Sequence, residues 1–178
     1  MSDASHATLA SEMSEHPFFE GVEERFLAAI AEGSVAKTYA QDEYLLREGE
    51  EARHLFLVYS GKIALEVSSP ERPRHTVGTV GMGEVVGWSW SVPPHRYEHD
   101  ARALKPTRTI AIDAEVLRYA CEEDTATGYR LLVRLIAVVA SRLASTRLQL
   151  LESEGAGSVD RPRRPPNVGP RWTGAPED

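Results

Sequence analysis

Apolar positions along the chain keep two different periods in turn. From Phe18 to Ile30, Phe19, Val22, Phe26 and Ile30 recur at three- and four-residue steps, which predicts one amphipathic helix. From about Val35 to Ile112 the pattern changes to short apolar runs broken by turns. Within it Ile63, Leu65 and Val67 face one way and Lys62, Ala64 and Glu66 the other, the period of a half-buried strand. The segments Leu55 to Tyr59, His75 to Val80, Ala101 to Leu104 and Thr109 to Ile112 read as further strands, and Ser68 to Pro73 as a hairpin loop. Regularly spaced short strands of this kind predict a jelly-roll-like β-roll over about 35–112.

The helical period returns after the roll. Asp113 is placed to cap a helix ending near Glu123, and Thr125 or Thr127 to cap the next. On that second helix Leu132, Ile136, Val139, Leu143, Thr146 and Leu150 follow one another in steps of four and three, a heptad seam that wants a partner helix. Leu131, Leu135 and Val138 form a second apolar flank, ending at Arg142, that suits contact with the roll. The expected class is therefore α+β, mainly β: a β-roll with an N-terminal helix and, over about 113–152, helices of which the last is a long C-terminal dimerisation helix. Leu132, Ile136, Val139, Leu143 and Leu150 are the expected homodimer contacts.

Residues 1–15 mix Ser, Ala, His and Glu without a clear period and read as a flexible tail or frayed helix. Residues 153–178 are rich in Pro and Gly, with four Arg against four acids, and read as a disordered tail. A net charge of −7 argues against sequence-independent attraction to nucleic acid or to an anionic membrane. One cysteine, Cys121, allows no intrachain disulfide, the N-terminus has no signal-peptide pattern, and no apolar run approaches bilayer length. The expected location is cytoplasmic, with no membrane contact.

The chemistry concentrates between residues 81 and 103, where Gly81, Gly83 and Gly87 punctuate a turn that leads into Trp88-Ser89-Trp90-Ser91 and then a strand. This stretch resembles the phosphate-binding cassette of the cyclic-nucleotide-binding domain family. Three more segments resemble family signatures in family order: His16 to Val22, Glu48-Gly49 followed by Leu55 to Ile63, and Arg142-Leu143-Ala144-Ser145-Thr146. Together they span about 16–152. In that family a Glu holds the ribose hydroxyl and an Arg the cyclic phosphate. Aligned without a gap, this chain has Trp88 at the Glu position and Tyr97 at the Arg position, with Arg96 one residue early. In a strand, neighbouring side chains point to opposite faces, so Arg96 needs a bulge to enter the pocket. The family's basic residue at Arg102 faces outward.

The resemblance implies a ligand site at Gly83, Gly87, Trp88, Ser89, Arg96, Tyr97 and Thr146, with a cyclic nucleotide or another small effector as its ligand and no further cofactor. Two readings of the cavity stay open. Trp88, Trp90 and Tyr97 fill it, leaving a ligand-free dimeric scaffold, or they line a remodelled pocket for an apolar or aromatic effector. His95, Tyr97 and His99 share a face if the segment is extended, which permits metal or haem ligation but supplies only two His. Cys121 reads as a small buried hydrophobe. No catalytic motif is present, so the chain is expected not to be an enzyme. The C-terminal segment stands where transcription factors of the family carry a helix-turn-helix, which argues against nucleic acid and toward an unidentified protein partner. The expected function is that of a regulatory sensor module.

Overall fold

The computed structural model describes residues 3–69 and 72–155. Three helical pieces lead in: α1 (Asp3–Ser14), a 3-10 turn at Pro17–Phe19, and α2 (Glu24–Ala31). Six strands follow, β1 (Ser34–Tyr39), β2 (Tyr44–Leu46), β3 (His54–Ser69), β4 (Arg72–Gly81), β5 (Val85–Val86) and β6 (Asp100–Asp113), with a second 3-10 turn at Trp88–Ser91 before β6. Helices α3 (Ala114–Glu123) and α4 (Thr125–Gly155) end the described chain. No described helix is long and apolar enough to cross a membrane.

All pairings are antiparallel, in the order β1-β6-β3-β4, with β2 joined to β6 and β5 to β3. The α+β class therefore holds. The two strands expected on either side of Gly61 are one long strand, β3, and those on either side of Pro106 are one strand, β6. Each bends instead of ending. Register shifts between Val58 and Ile63 absorb the bend, and Gly61, at φ 106°, lies so close to β6 that an added Cβ would meet Thr107 Oγ1 at 2.2 Å. Turn-forming residues here mark corners of a continuous roll.

The core runs from α1 through the roll to α4. Met13, Phe19, Leu27 and Ile30 from the lead-in helices meet Leu55, Leu57, Ile110, Ile112 and Leu117, all essentially without solvent contact. Each such side chain contributes roughly 1.5–3 kcal/mol by leaving water.

Three expectations are corrected. Residues 1–15 hold a packed helix, not a flexible tail: α1 buries Leu9, Ala10 and Met13 against its neighbours, and Glu12 bonds both Tyr59 and Arg108. Its apolar positions are too few to signal a period, and the stabilising partner is tertiary. Strand β3 is not half-buried along Lys62 to Val67, since Ala64 and Glu66 are buried and Val67 is partly exposed. Helix α4 is capped by Asp124 rather than by Thr125 or Thr127, its carboxylate accepting from the Thr127 N–H at 3.0 Å and hydroxyl at 2.9 Å. The cap expected at Asp113 is present, accepting from the backbone N–H of Glu115 and Val116. Of the expected C-terminal tail, 156–178 lies outside the described residues.

Candidate functional site

The cassette is built on a left-handed glycine. Gly87 follows β5 at φ 88°, and a Cβ there would lie 2.7 Å from the His54 carbonyl oxygen, so the turn into Trp88–Ser91 requires glycine. Gly83, also at positive φ, sits over Pro17 with room around it.

Just before β6, Tyr97 turns into the core. It is 5% exposed, and its hydroxyl donates to the His54 carbonyl and accepts from the His54 N–H, both at 3.1 Å. At the family's cation position there is a satisfied core tyrosine. Burial raises its pKa, so it stays neutral.

Arg96 is not brought into the site. Its side chain is exposed and donates to the Gly49 carbonyl at 2.7 Å, while its backbone forms an isolated antiparallel β-bridge with Glu51. Arg102 also faces outward. Its guanidinium holds the buried Glu66 and also Asp42, while Asp100 takes Arg47 and Arg74. This outer network explains why Glu66 is buried on a face expected to be open. Trp88 is half-buried against the core, Trp90 and Ser89 are buried, and Ser89 Oγ has no partner.

Helix α4 closes over the roll. Arg142 donates to the Val85 carbonyl, and Thr146 Oγ1 lies 3.5 Å from the Val77 carbonyl while bonding its own helix at the Arg142 carbonyl, 3.0 Å away. Arg142 is half-buried, forms no ion pair among the described residues, and leaves Nη1 buried without a partner. Burial lowers its pKa, with Glu84 the opposing charge. His99 also has a buried, unpartnered Nε2. Burial, with Arg142 close by, pushes its pKa down to about 4, so it is a neutral imidazole at neutral pH.

His95 does not join His99. Its φ of 55° breaks the alternation, and it lines a separate groove with Glu51, Arg53, Asp113 and Arg118. The shared metal-binding face expected of His95, Tyr97 and His99 is thus not formed. Burial and the nearby Asp124 and Glu122 push the Cys121 thiol up to about 11, which leaves it unactivated.

On α4, Leu131 and Leu135 are buried and Val138 packs against the core, so the second flank does face the roll. In the seam, Leu132 is 42%, Ile136 67% and Leu143 51% exposed, and Val139 is half-buried. The Leu150 side chain lies outside the described residues. Sequence reasoning did not foresee the contact of Arg142 with the Val85 carbonyl, although Arg142 opens the family signature that ends at Thr146 and closes the apolar flank.

Residues 36–124 match the family profile described as cyclic nucleotide-binding domain. No curated protein matches by sequence. A crystal structure from Geobacter metallireducens, described as a cyclic nucleotide-binding protein, superposes with a TM-score of 0.67 at 30% identity, covering 75% of this chain and 97% of that one. The sensor domain of the transcriptional regulator DNR from Pseudomonas aeruginosa gives a TM-score of 0.64 at 17% identity, covering 80% and 93%. A regulatory subunit of a cAMP-independent protein kinase A from Trypanosoma cruzi, bound to guanosine, gives 0.65 at 16% identity, covering 86% and 52%. With its glycine-built cassette, its closed roll and half its length matched by the profile, the chain belongs to the cyclic nucleotide-binding domain family.

Proposed function

We propose that this chain is a regulatory sensor module that binds a small effector in the roll beside the Trp88–Ser91 turn and signals through paired α4 helices to a protein partner. One observation carries the reading. The same helix that touches the cassette through Arg142 also offers Leu132, Ile136 and Leu143 to solvent. A ligand that shifts α4 against β5 therefore changes the surface a partner meets. Gly87, Trp88, Ser89 and Tyr97 frame the binding space, with Gly83 and Thr146 at its edges; Arg96 takes no part. Nothing in this reading requires catalysis.

Usual cyclic AMP binding is disfavoured, because the cassette supplies neither ribose-holding carboxylate nor phosphate-holding guanidinium. The Trypanosoma cruzi relative, described as cAMP-independent and bound to guanosine, supports a changed ligand preference within this fold. The filled position of Tyr97 favours a second reading, a ligand-free dimeric scaffold. Native mass spectrometry of the purified protein, with and without cyclic AMP, separates the two. A dimer carrying added or co-purified ligand supports the sensor, an empty dimer supports the scaffold, and a monomer with no ligand sinks both.

A further inference from the structure

Helices α2 and α3 leave an open groove between them. Arg25, Ala29 and Glu32 line it from α2 and its C-cap, and Val116, Tyr119 and Glu123 line it from α3, each set at three- and four-residue steps. At Gly33 the two helices meet closely, since an added Cβ there would lie 2.6 Å from Val116. The groove holds about 680 Å³. Phe26 and Ala120 are buried beneath it, while Tyr119 stands 64% exposed at its side.

The charge on this groove is one-sided. Its one cation, Arg25, is engaged by Glu23 at 2.8 Å and Asp124 at 3.5 Å. Glu32, Glu115 and Glu123 are exposed on the same groove and form no ion pair among the described residues. Glu115, Tyr119 and Glu123 follow one another at four-residue steps, so the two carboxylates stand about 12 Å apart along α3 with the tyrosine between them. A helix carrying Lys or Arg at i and i+8 and an apolar side chain at i+4 has the same spacing. Such a segment is complementary at each of the three positions, and an acidic one is repelled.

The chain's own basic block, Arg161 to Arg164, does not reach this groove within one molecule. Helix α4 runs 31 residues from beside the groove, which puts Gly155 about 46 Å along it. The chain from Gly155 to Arg161 spans at most about 21 Å. Arg171, with Trp172, lies far enough along the chain to do so.

We propose that the groove between α2 and α3 docks a basic helical segment of a partner protein, with an apolar side chain against Tyr119 and Phe26 and cations against Glu115 and Glu123. Asp124, on the same groove, caps α4, so the docked segment touches the start of the helix assigned to signalling. The inference rests on the reading above for the existence of a protein partner and gives that partner a surface and a chemistry.

The test is a titration of the full chain, followed by the backbone amide signals in NMR. The probe is a synthetic peptide of about 14 residues, Ala and Gln with Lys, Leu and Lys at four-residue steps, long enough to form a helix. Its control has Glu in place of both Lys. The Lys peptide is expected to shift the amides of Phe26, Val116, Tyr119 and Glu123 and the Glu peptide to leave them unmoved. Binding should weaken about fivefold or more with Glu115→Gln plus Glu123→Gln, with Tyr119→Ala and in about 0.5 M NaCl. All three side chains are exposed, so the variants should keep the wild-type spectrum elsewhere. No shift at the groove up to about 1 mM peptide overturns the inference, as does equal binding of both peptides or indifference to the variants. Binding that appears only in Arg171→Ala with Trp172→Ala assigns the groove to the chain's own tail. Shifts of the same amides with protein concentration alone assign it to a second copy, and either result overturns the partner. Each of these failures leaves the sensor reading intact, because that reading is decided by the ligand found in native mass spectrometry.

Discussion

Tyr97 shows how one substitution converts a ligand-reading position into a structural one. Its ring lies against the space above Gly87, and its hydroxyl bridges both backbone groups of His54. Tyr97→Phe keeps the ring and removes the bridge, leaving a partly buried N–H and carbonyl without that partner. The expected loss is roughly 1–3 kcal/mol by urea unfolding, and a change below a few tenths would show that water replaces the hydroxyl at no cost. The losses at Trp88 and Tyr97 were legible because they sit inside a motif with fixed spacing. Strand parity also placed Arg96 and Arg102 outside. The contact of Arg142 with Val85 was not legible, because it depends on where α4 crosses the roll, and no local pattern sets that crossing. The left-handed backbone at His95, which removes it from the face of His99, is likewise invisible in a reading that assumes extended chain.

The elements were legible wherever burial follows a period and illegible where tertiary contact overrides one. Helix α2 keeps Phe26 and Ile30 of the helix expected from Phe18 to Ile30, whereas Phe19 and Val22 fall in the 3-10 turn and in the link before α2, and the two flanks of α4 separate into Leu131, Leu135 and Val138 against the roll and Leu132, Ile136 and Leu143 toward solvent. By contrast, α1 has a weak pattern, and the corners at Gly61 and Pro106 look like strand ends. The exposed seam carries its own prediction. Because Leu132 and Ile136 are exposed in the single chain, Leu132→Asp with Ile136→Asp should leave the fold within about 0.5 kcal/mol per site. The same pair buries two carboxylates if the seams meet. Light scattering after gel filtration should then show a dimer for wild type and a monomer for the double variant at equal helical content. A variant that keeps the wild-type mass places the dimer contact elsewhere or denies it.

For the whole molecule, acid sensitivity follows from the histidines that the fold keeps neutral. Burial lowers the pKa of His16, His54 and His99, the last to about 4 with Arg142 adding to the effect. The unfolded chain takes up these protons near the ordinary value of 6.5, while the folded chain resists them. Stability from these groups is therefore complete above that value and falls as pH drops from there toward 4. His99 alone should cost on the order of 1–2 kcal/mol by pH 5. Asp124, whose pKa is lowered by its capping bonds to Thr127, has the same sign of effect, but its loss begins around the ordinary carboxylate value. The two contributions thus occupy successive windows. Urea unfolding of wild type and His99→Gln from pH 7.5 to 5 should show a falling midpoint in both, with a shallower slope in the variant. Parallel slopes would mean that His99 takes a proton in the folded state as readily as in the unfolded one.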